Sequence, residues 1–96
     1  MRIDELIWDD WNVEHIAGHD VEPEEVEEVC FGRPLVRRAG TTRYGLRRYH
    51  AFGRTEVGRY LFIVLDCEAA GVFYVVSARD MSKREGQQHR RKRGRR

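Results

Sequence analysis

Apolar residues first recur at helical spacing near the start of the chain. After a short apolar run, Trp8, Trp11 and His15 follow one another at intervals of three and four residues, which places them on one face of a helix. Either Asp9 or Asp10 suits the N-cap, since an aspartate side chain accepts a hydrogen bond from the backbone N–H groups of a first turn. Asn12 and Ile16 lie alongside them, so the spacing predicts a first helix with one broad apolar face, which ends near Gly18.

A second helical pattern follows at once, in the segment VEPEEVEEVCFG. Pro23 fits the first helical position, and Val21 and Val26 are spaced to pack against each other across the start of the helix. Val26, Val29 and Cys30 then form an inward stripe, while the glutamates between them form the opposite, solvated face. The first third of the chain is thus predicted to form two helices.

From residue 35 onward the pattern changes to that of strands. Four runs carry it, LVRRA, RYGLRRYHAFG, RYLFIVLD and VFYVVSA, and glycine-containing turns separate them. Short connections between successive strands predict an antiparallel meander of about four strands. The last two runs are apolar at consecutive positions, as in a sheet that is covered on both faces, whereas arginines interrupt the first two.

A last helix and a basic tail are predicted to complete the chain. Ser82 and Glu85 have the spacing of a capping box, and the segment HRRKRGRR follows. We expect one α+β domain over residues 1–88, in which two N-terminal helices and a C-terminal helix pack on the sheet, because a chain of 96 residues closes a single core. Residues 89–96 are expected to form a disordered tail, since dense like charges repel one another. Such a tail suits contact with RNA or lipid headgroups, or serves solubility alone.

The charges of the chain are divided between its two parts. Residues 1–30 hold eleven acidic residues and one basic residue, whereas residues 31–96 hold seventeen basic and five acidic residues. A basic surface of this density attracts polyanions such as RNA. Alternatively, the acidic and basic parts neutralise each other across the fold. Sixteen of the eighteen basic residues are arginine, whose planar guanidinium suits phosphate and carboxylate alike.

Several functional classes do not fit the sequence. No stretch approaches the roughly 20 apolar residues of a membrane helix, and the acidic N-terminus does not resemble a secretory signal, so we expect a cytoplasmic protein with no membrane partner. Cys30 and Cys67 lie far apart in apolar segments, which favours two buried thiols over a disulfide or a metal knuckle. Ser77 and Ser82 lack the context of a catalytic nucleophile, and the glycines form no phosphate cradle, so no small-molecule cofactor is expected.

His15 and His19 share a helix face at the spacing of a two-histidine metal clasp. Residue 16 is isoleucine where a zinc protease needs glutamate, and no third ligand lies nearby, so no metal site is expected. His19 falls at the C-terminal end of the helix, where the helix dipole favours a protonated ring. That position suits either acid–base chemistry or simple capping and packing.

Arginines and aromatic residues are concentrated in the second predicted strand. Strand alternation assigns these residues to two faces, one with Arg43, Arg47 and Tyr49 and the other with Tyr44, Arg48 and His50. Either set, if exposed, offers cations for phosphate and rings for stacking on unpaired bases. With the start of the last helix, this segment supplies the expected RNA-binding residues Arg43, Arg47, His50, Lys83 and Arg84. The alternative is an edge strand whose charges protect it from aggregation.

Three segments carry landmarks that occur together in a known family: IWDDWNVEHIAGHDVEPEEVEEV, RRYHAFGRTEVGRYLFIVL and VFYVVSARDMSKRE. Their order and spacing resemble those of the BrnT-type toxins of bacterial type II toxin-antitoxin systems. The step Ser77-Ala78-Arg79, followed by Glu85, is the most specific of these landmarks. The resemblance extends over nearly the whole chain, from about residue 6 to about residue 90.

The resemblance implies a RelE-like ribonuclease fold and a metal-independent endoribonuclease that inhibits translation and growth and is silenced by a small BrnA-type antitoxin. It implies attack of the ribose 2′-hydroxyl on the adjacent phosphate, which leaves a cyclic phosphate and a 5′-hydroxyl. On this basis the catalytic residues are Arg79 at the phosphate, Arg48 in phosphate binding or charge stabilisation, and His19 or Tyr49 as proton carrier. Arg79 could instead form a structural ion pair with Asp80 or with an acidic helix.

Two other functions use the same basic residues without chemistry. A non-catalytic module of the same fold would hold RNA or an acidic protein partner, and its RNA binding would weaken steeply with salt. A structural partner would use its arginines only to seat another chain. Cleavage of RNA distinguishes the enzyme from both alternatives. RNA binding without cleavage distinguishes the non-catalytic module from the structural partner.

Overall fold

The computed structural model describes residues 1–93, with side chains up to residue 91. These residues form, in chain order, β1 (Glu5–Ile7), α1 (Asp10–Ala17), α2 (Pro23–Cys30), β2 (Leu35–Thr41), β3 (Arg47–Arg54), β4 (Tyr60–Ala69), β5 (Val72–Asp80) and α3 (Lys83–Arg93). The predicted α+β class is confirmed. Within this part of the chain, none of the helices combines the length and apolar character needed to cross a membrane.

The strands form one mixed sheet in the order β1-β5-β4-β3-β2. Strands β2 to β5 are the predicted antiparallel meander. Strand β1 is an addition to it, and it runs parallel to β5 with Leu6 opposite Phe73. The sequence shows only a short apolar run at this point, because three residues are too few to reveal strand alternation.

The hydrophobic core lies between helices α1 and α2 and one face of the sheet, which we call the core face. Leu61, Ile63 and Leu65 of β4 are fully buried on this face, and Val26 and Val29 of α2 belong to the same cluster. Because successive strand residues point to opposite sides, the residues between them form a second surface. This outer face carries Arg37, Arg48, His50, Phe52, Phe62 and Arg79, and α3 covers part of it.

Asp9, one of the two predicted candidates, caps helix α1. Its carboxylate accepts a hydrogen bond from the backbone N–H of Asn12 at 2.9 Å, and the Asn12 side chain accepts one from the backbone N–H of Asp9 at 2.9 Å. The Asn12 amide also donates to the carbonyl oxygens of Ile7 and Val75. Asn12 is fully buried, and its hydrogen bonds tie the start of the helix to β1 and β5.

The inward face of α1 differs from the predicted one. Asn12 and Ile16 point into the core, whereas Trp11 is 59% exposed and stacks on His15 with the ring centroids 5.0 Å apart. The predicted broad apolar face is therefore confirmed for Asn12 and Ile16 and wrong for Trp11 and His15. The cause is the set of buried hydrogen bonds made by Asn12, which fixes the rotation of the helix about its axis.

Helix α2 matches its prediction in both its start and its buried stripe. Pro23 is the first residue, and Val26, Val29 and Cys30 are buried. Burial raises the pKa of the Cys30 thiol to about 12, so this thiol is protonated and unreactive at neutral pH. Cys67 is half-buried, and both cysteines are free thiols.

Helix α3 begins with the predicted capping box. The Ser82 N–H donates to the Glu85 carboxylate at 2.8 Å, and the Glu85 N–H donates to the Ser82 hydroxyl at 3.1 Å. The helix continues to Arg93, so residues 89–93 of the tail that the sequence predicts to be disordered are helical. The ring of His89 packs on that of Tyr60, with centroids 6.0 Å apart, which is how an otherwise polar segment gains a buried contact. Residues 94–96 of the predicted tail lie outside the described residues.

Candidate active site

A β-bulge in β5 turns Arg79 to the outer face. The strand pairs with β4 through Val75 and again through Ser77, which leaves Val76 as an extra, unpaired residue. Val75 and Ala78 are both fully buried, although they are three positions apart. In a strand without the bulge, strict alternation from Val75 would direct Arg79 into the core.

Arg79 and His50 meet at the ring of Phe62. The guanidinium carbon of Arg79 lies 4.4 Å from the centroid of this ring, and the centroid of the His50 ring lies 4.8 Å from it. The ring of Phe52 packs beside Phe62 at a centroid distance of 5.2 Å. Arg48 lies two residues from His50 on the same side of β3. The outer face thus brings two arginines and a histidine together beside the rings of Phe52 and Phe62.

A carboxylate from α3 holds Arg79 in place. The Nη1 and Nη2 atoms of Arg79 donate to the two oxygens of Glu85 at 2.8 and 3.1 Å, and Nη1 also donates to the backbone carbonyl of Asp80 at 3.0 Å. Arg79 is the main reason that the pKa of Glu85 is lowered to about 2. Among the described residues, the Nε–H of Arg79 and one N–H of Nη2 have no hydrogen-bond partner. These two donors form one edge of the guanidinium, which fits two oxygens of a phosphate.

Arg48 is held in a similar way, through its other edge. Its Nε and Nη2 atoms donate to the two oxygens of Asp66 at 2.7 and 3.0 Å. The side chain of Asp66 is 12% exposed and that of Arg48 is 37% exposed. The hydrogen bond to Asp66 is the main reason that the pKa of Arg48 is raised. Both N–H groups of Nη1 and one N–H of Nη2 are without a partner among the described residues, so Arg48 keeps three donors. One N–H of Nη1 and the remaining N–H of Nη2 form an edge that fits an anion.

The pKa of His50 is lowered from its ordinary value of 6.5. Burial is the largest cause, and the positive charges of Arg37, Arg48 and Arg79 act in the same direction. The negative charge of Glu85 opposes them. The imidazole is therefore neutral at neutral pH, and a neutral imidazole accepts protons. The sequence predicts RNA binding for His50, and its position and protonation state suit a proton acceptor as well.

The two proton carriers suggested by the sequence, His19 and Tyr49, lie away from these arginines. Tyr49 points to the core face, where its ring meets Phe73 edge-on at a centroid distance of 5.8 Å. His19 lies in the turn after α1, and its ring meets that of His15 edge-on at 5.6 Å. No group of three His, Cys, Asp or Glu side chains that could hold a metal ion occurs among the described residues, so these two histidines gain no third ligand there.

Arg43 and Tyr44 lie in the turn between β2 and β3. The prediction that both are strand residues is wrong, because Gly45 adopts a positive φ of 85° that turns the chain before β3 begins. The guanidinium of Arg43 lies over the Tyr44 ring at 5.1 Å, and both side chains are exposed. They line a shallow pocket together with Arg48 and Asp66, so the turn borders the site on the side of Arg48.

Of the remaining expected RNA-binding residues, Lys83 and Arg84 lie beside the site, whereas Arg47 lies on the other side of the sheet. Arg47 is the first residue of β3, where it is exposed, and alternation directs it to the side of Tyr49. Lys83 and Arg84 are exposed in the first turn of α3, directly before Glu85. These two are close in sequence to the carboxylate that holds Arg79, whereas Arg47 lies on the opposite side of its strand from Arg48.

Asp80, the acidic neighbour of Arg79, is engaged elsewhere. Its carboxylate accepts a hydrogen bond from Nε of Arg59 at 2.7 Å. Arg59 also pairs with Glu25 of α2 at 3.0 Å, so it joins the acidic part of the chain to the basic part. The ion pair suggested for Arg79 therefore exists, but it is formed with a carboxylate of α3 and not with Asp80.

Asp66 and Phe62 belong to the site although sequence reasoning did not select them. Asp66 ends the apolar run YLFIVL, and a lone acid in such a strand needs a cationic partner, so a signal for it was present. Phe62 gave no signal, because an aromatic residue in an apolar strand is most often part of a core. The sequence predicts Glu85 as a capping residue, whereas its ion pair with Arg79 depends on α3 folding back over the sheet.

Comparison with known families gives a match over most of the chain. The family described as "Ribonuclease toxin, BrnT, of type II toxin-antitoxin system" matches residues 8–85. The matched region contains Arg48, His50 and Arg79, and its last residue is Glu85. No curated protein matches the sequence.

Proposed function

Because this chain belongs to the family of BrnT ribonuclease toxins of type II toxin-antitoxin systems, we propose that it cleaves RNA on its outer face with Arg48, His50 and Arg79. One observation carries the proposal: a histidine of lowered pKa lies beside two arginines that each keep at least two N–H donors available. Such a set supplies a proton acceptor and charge stabilisation, which cleavage of RNA by its own 2′-hydroxyl requires.

In the proposed reaction the neutral ring of His50 takes the proton of the ribose 2′-hydroxyl while that oxygen bonds to the adjacent phosphorus. The bond from phosphorus to the 5′ oxygen breaks, and this oxygen takes a proton from solvent. The products are a 2′,3′-cyclic phosphate and a 5′-hydroxyl. The available edges of Arg48 and Arg79 stabilise the negative charge that develops on the phosphoryl oxygens. No metal ion takes part in this step.

The test uses purified protein and labelled single-stranded RNA in the presence of a metal chelator. We expect cleavage with cyclic-phosphate ends, and a loss of rate on the order of a hundredfold in Arg48→Gln and in Arg79→Gln. Arg47→Gln is the matched control, since this arginine is the chain neighbour of Arg48 on the other side of β3, and its rate should stay near that of the wild type. Full activity of Arg79→Gln would exclude the proposed site.

A second candidate function is a non-catalytic RNA-binding module. The observation that favours it is that Glu85 and Asp66 already occupy one edge of each arginine. Under this alternative the wild-type protein binds RNA, with an affinity that falls steeply as salt rises, and yields no cleaved product. A cyclic-phosphate product from the wild-type protein excludes it.

We further propose that the partner protein is a BrnA-type antitoxin, encoded beside the toxin gene, and that the two meet in the bacterial cytoplasm. A toxin of a type II system is neutralised by a protein, so induction of the wild-type chain alone should arrest growth and co-expression of the neighbouring gene should relieve the arrest. Arg79→Gln should grow normally without the partner. Growth arrest by Arg79→Gln equal to that of the wild type would separate toxicity from the proposed chemistry.

A further inference from the structure

A pocket opens on the outer face between the edge strand β2 and helix α3. It is lined by the apolar residues Leu35, Val36 and Phe52, and its polar groups come from Arg37, Glu85, Gln88 and His89. The guanidinium carbon of Arg37 lies 5.2 Å from the centroid of the Phe52 ring. Gln88 is exposed on α3, so its amide is available to a bound molecule.

Glu85 connects this pocket to the proposed catalytic site. The carboxylate that lines the pocket is the one that accepts hydrogen bonds from Arg79 at 2.8 and 3.1 Å. Its Oε1 atom accepts two hydrogen bonds, from Arg79 and from the N–H of Ser82, whereas Oε2 accepts one and keeps an acceptor position. A phosphate bound at the available edge of Arg79 would thus lie next to the pocket. In RNA a single ribose links a phosphate to its base, so the base of that nucleotide can reach the pocket.

We propose that this pocket is a subsite for one unpaired nucleobase of the RNA substrate, with Gln88 as the residue that determines which base is preferred. The inference rests on the function proposed above. An unpaired base has two flat faces and a polar edge, and protein aromatic rings and guanidinium planes stack on such faces. The apolar walls and the Arg37 guanidinium match the faces. The Gln88 amide, which both donates and accepts, and the remaining acceptor position of Glu85 match the edge.

The charges around the pocket favour an RNA strand over an apolar protein segment. Lys83, Arg84 and Arg90 are exposed on α3, so a strand that enters the pocket runs beside cations that suit a phosphate backbone. The site therefore calls for single-stranded RNA, since a base paired in a duplex cannot turn its edge into a pocket.

The first test compares two adjacent glutamines of α3. Gln88 lines the pocket, whereas Gln87 is exposed and lies outside its lining. Wild-type protein, Gln88→Ala and Gln87→Ala are incubated with single-stranded RNA of random sequence, and the cleaved positions are mapped. We expect the base preference at one position next to the cut to fall by about five- to tenfold in Gln88→Ala, the size of one lost base-edge contact. Gln87→Ala should retain the wild-type preference.

The second test compares two adjacent arginines of β2. Arg37 lies over Phe52 at the pocket, whereas Arg38 lies over Tyr49 on the other side of the strand. Neither arginine is proposed to contact a phosphate, so the salt dependence of RNA binding should stay near that of the wild type in both variants. Affinity for a short single-stranded RNA should fall about fivefold more in Arg37→Ala, because only this variant loses a stacking contact.

Binding of labelled A, C, G and U homopolymers separates failure of this inference from failure of the proposed function. If the wild-type protein does not cleave but Gln88→Ala changes its order of preference among these RNAs, the subsite exists without the activity. Cleavage and binding preferences that are the same in wild type and Gln88→Ala overturn the subsite. If in addition Gln88→Ala weakens the complex with the antitoxin, the pocket belongs to a protein partner instead.

Discussion

The ion pair between Glu85 and Arg79 makes a measurable contribution to stability. Glu85→Gln keeps the shape of the side chain and an acceptor for the N–H of Ser82, but it removes the negative charge that faces Arg79. We therefore expect the variant to be less stable than the wild type at neutral pH and equally stable in strong acid.

The pKa of Glu85 sets the size and the pH range of this effect. It is lowered from 4.5 to about 2, and a complete shift of this size would correspond to about 3 kcal/mol. The side chains of Arg79 and Glu85 are 39% and 23% exposed, so solvent screening reduces the expected loss to about 1–2 kcal/mol. Because the pKa is lower in the folded state than in the unfolded state, the contribution is complete above a pH of about 4.5 and is lost as the pH falls toward about 2.

Urea unfolding of the wild type and of Glu85→Gln, followed by circular dichroism between pH 7 and pH 3, measures the difference in unfolding free energy. Glu14→Gln is the matched control, because Glu14 is exposed on α1 and its side chain has no ion pair among the described residues. A double-mutant cycle with Arg79→Gln separates the ion pair from the helix cap. A coupling energy near zero at pH 7, together with a stability difference that does not vary with pH, would refute the reasoning.

The same variant distinguishes two roles of Glu85 in cleavage. If the carboxylate orients Arg79, Glu85→Gln binds RNA at least as tightly as the wild type, since the site becomes more positive, but it has a lower kcat. If the carboxylate competes with phosphate for Arg79, the variant has a higher kcat. We expect the first result, because the pair leaves one edge of the Arg79 guanidinium available.

Three further predictions test the site and the core separately. The midpoint of the decline in cleavage rate with falling pH should lie below 6.5, the ordinary histidine pKa, because the pKa of His50 is lowered. Measurement of kcat/KM from pH 5 to 8 checks this, and His50→Ala should lose the decline. Gly53→Ala should cost about 1–3 kcal/mol in thermal unfolding, because the new Cβ would lie 2.6 Å from Cγ1 of Val29, and adding Val29→Ala should recover part of the loss. Asn12→Ala should cost about 2–4 kcal/mol, since it removes the buried hydrogen bonds that anchor α1, and an unchanged urea midpoint would contradict this.

Local patterns were sufficient to predict α2 and the meander, but not the rotation of α1. A proline before a regular valine stripe defines α2 without reference to the rest of the chain. In α1, the spacing of Trp11 and His15 and the spacing of Asn12 and Ile16 are both helical, so periodicity cannot choose between the two faces. The choice depends on the hydrogen bond from Asn12 to the carbonyl of Val75, which joins positions 63 residues apart.

The sequence predicts which site residues share a face within one strand, but not which residues of different strands lie side by side. Alternation correctly placed Arg48 and His50 together and Tyr49 on the opposite face of β3. Alternation could not place Arg79 beside them, because the run VFYVVSA is apolar at consecutive positions. A bulge is visible in a sequence only as a break in alternation, and this run has no alternation to break. The resemblance implies His19 or Tyr49 as proton carrier, and strand and helix patterns cannot locate either residue relative to Arg79.

The bulge at Val76 shifts the pairing of β5 with β4 by one residue relative to a regular antiparallel pairing. In the native pairing Ala78 is buried and Arg79 lies over Phe62, whereas a regular pairing without the bulge would exchange the two faces from this point onward. That competing register would bury a guanidinium without a partner, which costs several kcal/mol. The charge of Arg79 therefore selects the register of its own strand. An apolar residue at this position would remove the penalty and leave β5 free to slip by one residue.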